Sequence, residues 1–242
     1  MNGMEHKYTG IVLLKRDVGE TDRLYSIYTL ERGKIAVMAR GVRKAKSKLA
    51  GKLENFYLID FTVMKNRGMG NLASSIVENS FSYLRSDFDA LEKVFASTRI
   101  FNRLINDEEK DPKVFELLLS YLEIMDIFAK DSFVDKYSLA EQGFLFKFLD
   151  LLGYKIEATK CISCGESLSA SKKNYFNYSE GGMTCNKCVV SANNTMAVSN
   201  NSIKIIRIFF QNRLSSLSKL NISRKDIQEI RRISKSFISW VC

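Results

Sequence analysis

Two Cys-x-x-Cys pairs, Cys161-Ile-Ser-Cys164 and Cys185-Asn-Lys-Cys188, constrain this chain more than any other feature. The segment between them is short enough to fold back and bring four thiolates to one point. That donor set and spacing suit a tetrahedral Zn2+ site, one per chain. Four protein sulfurs leave no position for water or substrate, so such a zinc is structural. Between the pairs, Tyr175–Tyr178 and Gly181-Gly182-Met183 read as a strand and its turn, as in a zinc ribbon occupying about 158–191. The first seven residues, Met1-Asn-Gly-Met-Glu-His-Lys7, hold no apolar stretch of a signal peptide, and no run approaches membrane-spanning length. The expected compartment is the cytoplasm, where thiols stay reduced and a metal is favoured over disulfides. Cys242, the fifth cysteine, reads as incidental.

Hydrophobic periodicity divides the remainder. Tyr8–Arg16, Asp22–Leu30, Lys34–Arg40, Asn55–Met64 and Gly70–Glu78 read as five short strands, with turns at Glu31-Arg32-Gly33 and Asn66-Arg67-Gly68. Five strands in about 75 residues suit a small closed barrel, and an SH3-like barrel fits the count nearly as well. Near Phe81–Asp87 period two gives way to period 3.6, so the expected domains are 1–80 and 81–242. Phe88, Leu91, Phe95, Thr98, Phe101 and Ile105 form one helical stripe, and Asp111-Pro112 opens a second helix. A third spans Ser132–Leu152, a stripe Ile203–Phe210–Leu217 follows the cysteines, and Ser223-Arg-Lys-Asp226 starts a last helix. These stripes read as helix–helix core. The fold class is α+β.

The chain is 45% hydrophobic, enough for a packed core, and carries a net charge of +10. That charge is uneven: +6 over residues 1–80, −4 over 81–160 and +8 over 161–242. Two basic ends around an acidic middle point to a polyanion. Arg40, Arg43, Lys44, Lys46, Lys48 and Lys52 crowd into one connection, Gly41–Leu53, with no acidic residue among them. Like charges this close repel unless phosphates neutralise them. Tyr25, Tyr28, Phe56 and Tyr57 are either platforms for bases or barrel core, and core is favoured. His6 is the sole histidine, no phosphate-cradling loop is present, and Asp107-Glu-Glu-Lys-Asp111 reads as a solvated interhelical loop rather than a metal-binding carboxylate cluster. The chain therefore reads as a binding protein, not an enzyme.

With these features in place, the chain resembles the bacterial recombination-mediator family RecO. The resemblance is carried by Gly19-Glu-Thr-Asp-Arg-Leu24, Glu31-Arg-Gly-Lys34, Gly41 through Gly51, and Leu151-Leu-Gly-Tyr154 ahead of the two cysteine pairs. It implies a five-stranded OB-fold β-barrel, then an α-helical domain carrying the four-cysteine zinc ribbon. It implies binding to single- and double-stranded DNA, annealing of complementary strands, and, with RecR and in some bacteria RecF, loading of RecA onto DNA coated by single-strand binding protein. Localisation would be cytoplasmic, at the nucleoid, with no membrane partner. The Arg40–Lys52 cluster matches the family's basic barrel loop, with Arg32 and Lys34 beside it. The acidic, apolar tail of single-strand binding protein would want a basic rim around an apolar groove, for which Arg207, Arg213, Arg231 and Arg232 are candidates. The alternative is a zinc-ribbon adaptor that binds nucleic acid in transcription or RNA metabolism.

Overall fold

The computed structural model describes residues 4–65, 69–189 and 194–241. The expected turn at Asn66-Arg67-Gly68 and the terminal Cys242 lie outside them. The chain forms two compact units, Met1–Lys130 and Asp131–Cys242.

In the first unit, strands β1 (Met4–Val18), β2 (Asp22–Thr29), β3 (Gly33–Ala39), β4 (Leu58–Lys65) and β5 (Gly70–Asn79) close a barrel in the order β1-β2-β3-β5-β4. β1 makes closure possible because it is 15 residues long and serves two neighbours. Its first half pairs with β4, from Met4↔Lys65 to Ile11↔Leu58, and its second half pairs with β2, from Gly10↔Thr29 to Val18↔Asp22. A register shift between Val12 and Leu14 bends the strand between its two partners. β3 and β5 meet in parallel at Val37↔Gly70 and Met38↔Asn71. This order, with one parallel pair, is that of an OB-fold, and it removes the SH3-like alternative. Val12, Tyr25, Ile27, Ile35, Val37, Ile59, Phe61, Val63 and Leu72 fill the barrel, every one of them buried.

Helices α1 (Ser82–Ser86), α2 (Phe88–Leu104) and α3 (Pro112–Lys130) complete this unit. Asp87 caps α2 by accepting from Ala90 N, and Asp111 Oδ1 accepts from Lys113 N and Val114 N, as the Asp-Pro signal predicts. The expected stripe holds in its second half, where Thr98, Phe101 and Ile105 are buried, and fails in its first, where Phe88 and Phe95 are exposed. The buried face within α2 is Ala90, Val94, Ser97, Thr98 and Phe101, while Phe88 is 81% exposed. On this face Ser97 Oγ donates to Tyr121 Oη of α3 at 3.0 Å. Tyr28 lies beneath the helices, edge-on to Phe101 and stacked on Phe115, and Phe56 meets Phe95 edge-on at 4.7 Å.

Asp107–Asp111 corrects the expectation of a merely solvated loop. Its side chains are largely exposed, but its backbone docks on the β2–β3 turn: Glu108 N donates to Lys34 O at 2.8 Å. Gly33 makes this approach possible. Its φ is +70°, and a Cβ there would stand 2.0 Å from the Glu109 carbonyl oxygen. Gly33→Ala should therefore cost about 2–4 kcal/mol, from left-handed strain and displacement of the loop. Urea unfolding of the variant measures this, and an unchanged midpoint would contradict the packing.

In the second unit, α4 (Val134–Leu151) is buried around nearly its whole circumference, from Tyr137 to Leu149, as befits a central helix. α5 (Asn200–Gln211), a 3-10 turn (Leu214–Lys219) and α6 (Arg224–Val241) surround it. The sequence stripe after the cysteines runs unbroken to Leu217, but the helix stops at Gln211 because Asn212 and Arg213 adopt extended backbone. α6 begins as its capping signal predicts, with Asp226 N donating to Ser223 Oγ and that hydroxyl donating to Asp226 Oδ2. Three four-residue strands, β6 (Asn174–Asn177), β7 (Gly182–Cys185) and β8 (Thr195–Val198), form a small sheet ordered β7-β6-β8. Among the described residues, no helix is long and apolar enough to cross a membrane.

Candidate nucleic-acid interface and metal centre

The basic connection between β3 and β4 is a chain of tight turns. Lys44 N bonds Gly41 O, Ser47 N bonds Lys44 O, Ala50 N bonds Ser47 O and Lys52 N bonds Leu49 O. Val42 and Leu53 are buried in the barrel core and Leu49 packs against it, so the apolar residues tether the loop while the cations stay outside. Asp22 holds its start: Oδ1 accepts from Gly41 N at 2.7 Å and from Thr21 Oγ1 at 2.9 Å. The Gly41 bond, then the Thr21 bond, keep the Asp22 carboxyl below its usual range, so this tether weakens as the pH falls through the carboxylate range.

Arg40, Arg43, Lys44, Lys46, Lys48 and Lys52 are all exposed. Arg43 alone among them forms ion pairs or side-chain hydrogen bonds in the described residues, to Asp17 Oδ2 at 3.5 Å and Gly19 O at 3.2 Å. A cleft of about 310 Å3 opens beneath the loop, lined by Arg23, Tyr25, Val42, Arg43, Lys44 and Leu53 among others. Arg32 and Lys34 stand apart from this cluster. Arg32 pairs with Glu108 at 2.7 Å. The Lys34 ammonium, whose side chain is 15% exposed, pairs with Asp107 at 3.0 Å and donates to the carbonyls of Ile105 and Asn102 at the end of α2. A cation at a helix C-terminus is where the backbone dipole favours it.

Of the four aromatics, Tyr25, Tyr28 and Phe56 are fully buried, which matches the core reading. Burial, with the nearby Asp111 and Glu109 charges adding to it, pushes the Tyr28 phenol well above its ordinary range. Tyr57 is half-buried under the Arg85 guanidinium, 4.8 Å from the ring centroid. None of the four is an open platform for a base.

The four paired cysteines converge in the second unit, their sulfurs all within 4.8 Å of one another. Each pair forms a tight turn. Gly165 N donates to Cys161 O and Cys161 N donates to Glu166 O, with Gly165 at φ +73°; Cys188 N donates to Cys185 O. Cys161 is buried and Cys164 exposed. Burial opposes a thiolate at Cys161, but the backbone N–H groups of Cys164, Cys185 and Ser163 together outweigh it and bring its pKa down to about 6. Cys188, its thiol hydrogen-bonded to the sulfurs of Cys185 and Cys164, is pushed up to about 12. Tetrahedral sulfurs 2.3 Å from a zinc lie about 3.8 Å apart, so the donor set and its spacing fit that ion.

The four late arginines are scattered. Arg207 is half-buried and donates Nε to Ala158 O at 2.7 Å, Arg231 reaches Glu141 at 3.6 Å, and Arg213 and Arg232 are exposed. A cleft of this unit, about 380 Å3, is lined by none of them. It has Phe133, Val134, Leu139 and Ile227 on its walls and Lys136 and Arg224 beside them. Its two halves come from residues almost a hundred positions apart, which no local sequence pattern reports.

A closed OB barrel with a cationic loop, followed in the chain by a helical unit with a cluster of four cysteines, defines a class of modular two-unit protein. The comparisons narrow it. The model described as Recombination protein O N terminal matches residues 1–81, and that described as Recombination protein O C terminal matches 85–241. The chain belongs to the RecO family. It is 30% identical to the DNA repair protein RecO of Dehalococcoides mccartyi strain CBDB1, over 98% of this chain and 90% of that one. It is 29% identical to the namesake of Halalkalibacterium halodurans, over 90% and 83%, and 28% identical to that of Bacillus pumilus, over 94% and 85%.

Proposed function

We propose that this chain is a DNA-binding mediator of recombinational repair. The observation that carries the reading is the ordered, outward cation loop on a closed OB barrel, where five exposed side chains, Arg40, Lys44, Lys46, Lys48 and Lys52, hold no carboxylate among the described residues. These five and Arg43 contact phosphates. Arg32 and Lys34 hold the Asp107–Glu108 loop instead. The family to which the chain belongs, and relatives named as DNA repair proteins, support the same direction.

The binding is sequence-blind. Phosphate contacts fix position without reading bases, and the buried barrel aromatics offer the bases nothing to stack on. A strand held by its backbone keeps its pairing edges free, which is what annealing requires. With RecR, the protein helps load RecA onto DNA coated by single-strand binding protein. That protein's acidic, apolar tail docks in the 380 Å3 cleft of the second unit, its carboxylates on Lys136 and Arg224 and its apolar groups on Phe133, Val134 and Ile227. Zn2+ sits on Cys161, Cys164, Cys185 and Cys188 as scaffold, and no catalytic group is called for.

The test is annealing of complementary strands coated by single-strand binding protein, with and without its tail. The expected result is acceleration that depends on the tail. Acceleration of neither bare nor coated strands would remove the mediator reading in favour of a simple adaptor. Val134→Asp should abolish the tail dependence while leaving annealing of bare strands intact.

A further inference from the structure

We propose that the cleft beneath the β3–β4 loop takes the terminal phosphate of a DNA strand, with Arg23, Arg43 and Lys44 on the phosphate and the end sugar against Val42 and Leu53. This rests on the DNA-binding reading above and names what one part of that surface recognises.

Arg23 is the unexpected residue of β2. It alternates with Tyr25 and Ile27, which fill the barrel, so it is the inward position at the barrel's end. A cation on a core-facing position has to be paired. Asp17, its cross-strand partner on β1, pairs with it: Arg23 Nε donates to Asp17 Oδ1 at 2.6 Å. The other oxygen of the same carboxylate lies 3.5 Å from Arg43 Nη1. One carboxylate thus pins two guanidiniums side by side, one from β2 and one from the loop. Arg43 is fixed further by donating to Gly19 O at 3.2 Å. Both arginines line the 310 Å3 cleft and Asp17 does not, so it holds them from behind. Lys44 lines the cleft as well and forms no ion pair among the described residues. Glu54, the one carboxylate among the lining residues, is engaged by Lys15 and Arg85.

Asp17 therefore neutralises only one of the three cations at the cleft. A phosphodiester inside a strand brings a single negative charge. A phosphate monoester brings about 1.5 to 2 at neutral pH and offers three oxygens. Guanidiniums held in place take such oxygens in pairs. The floor of the cleft is barrel core, for Tyr25, Val42 and Leu53 are no more than 3% exposed. That floor suits the apolar side of a sugar. The volume stands at the bottom of the range for small-ligand sites, about 300–1,000 Å3, which is room for a phosphate and its sugar. The base stays outside with its pairing edge free, in keeping with sequence-blind binding. A terminal phosphate exists only where a backbone is interrupted. The site directs the protein to breaks and gaps, and Lys46 and Lys48 take the phosphates that follow.

The test uses oligonucleotides of one sequence that end in a 5′-phosphate, a 3′-phosphate or hydroxyls only, with binding read by anisotropy. At least one phosphorylated strand should bind about tenfold tighter than the hydroxyl-ended strand, the worth of an added charged hydrogen bond. Arg23→Gln should abolish that preference. It should bind the hydroxyl-ended strand, which the loop holds, within about twofold of the unaltered protein, and this also shows that the variant is folded. A deoxynucleoside monophosphate lacks the loop contacts, so it should displace the phosphorylated strand only at about a hundredfold excess. Equal affinity for all the strands would overturn the end site and leave the DNA-binding reading standing. A preference that survives in Arg23→Gln would overturn it too, because added charge alone would then account for it. Displacement by the mononucleotide at equal concentration would assign the cleft to free nucleotides and overturn the strand-end reading. If no strand binds, the DNA-binding reading fails and this one with it.

Discussion

Reversing Arg43, Lys44, Lys46 and Lys48 to glutamate should remove most strand binding by the barrel, by at least about a hundredfold at physiological salt. Each phosphate contact to a single strand contributes about 0.7 to the slope of log K against log salt, so losing four should lower that slope by about 3. Reversal adds repulsion beyond the lost contacts. The fold should survive. Val42, Leu49 and Leu53 tether the loop from inside, and its turns are closed by backbone hydrogen bonds. The only ion pair lost among the described residues, Arg43 with Asp17, is surface-exposed and worth less than about 1 kcal/mol. Anisotropy of a labelled oligonucleotide across a salt series measures both quantities. Affinity and slope equal to those of the unaltered protein would refute the assignment of the loop.

The same experiment separates the loop from Arg32 and Lys34. Reversing Lys34 should act on stability rather than on salt dependence, because its ammonium ties down the end of α2 through two carbonyls and Asp107. Nothing in the sequence distinguishes Lys34 from Lys44. The partner that neutralises Lys34 lies more than seventy residues away, and only the fold brings the two together. Local features, in contrast, were legible. The five strands follow from alternation and turn residues, and the caps at Asp111 and Ser223 from local hydrogen-bond chemistry.

The sequence misled where packing overrides pattern. Phe88 and Phe95 begin the expected stripe of α2 yet are exposed, while its later members Thr98 and Phe101 are buried beside Ala90, Val94 and Ser97. The core reading of Tyr28 is right by a route the strand pattern does not show: the ring alternates outward from the barrel and is buried because helices cover that side. The break after α5 rests on extended backbone at Asn212 and Arg213, inside an apolar stripe that by itself would continue. The cysteine cluster was readable because four identical donors at fixed spacing have few other uses.

Loss of the metal should unfold the ribbon and spare the barrel. The three strands of the ribbon are four residues each, and a sheet that small does not stand alone in water. Its apolar content is slight: Phe176 and Met183 are its fully buried residues, supported by Ile156 and Ala158. Structural zinc contributes roughly 10–16 kcal/mol of apparent binding free energy in small zinc-finger peptides, so here it would supply most of what keeps the segment ordered. The damage should spread within the second unit. Phe176 meets Phe237 of α6 edge-on at 6.2 Å, and Gly181 lies against the same ring. Cys161→Ser removes the buried ligand, while a chelator can attack from the exposed Cys164 side. Either treatment should lower the thermal midpoint of the second unit and leave the barrel's transition, and strand binding through its loop, close to those of the loaded protein. Elemental analysis should give about one zinc per chain beforehand and none afterwards. A metal-free protein with both transitions unmoved would mean that the four sulfurs converge for another reason.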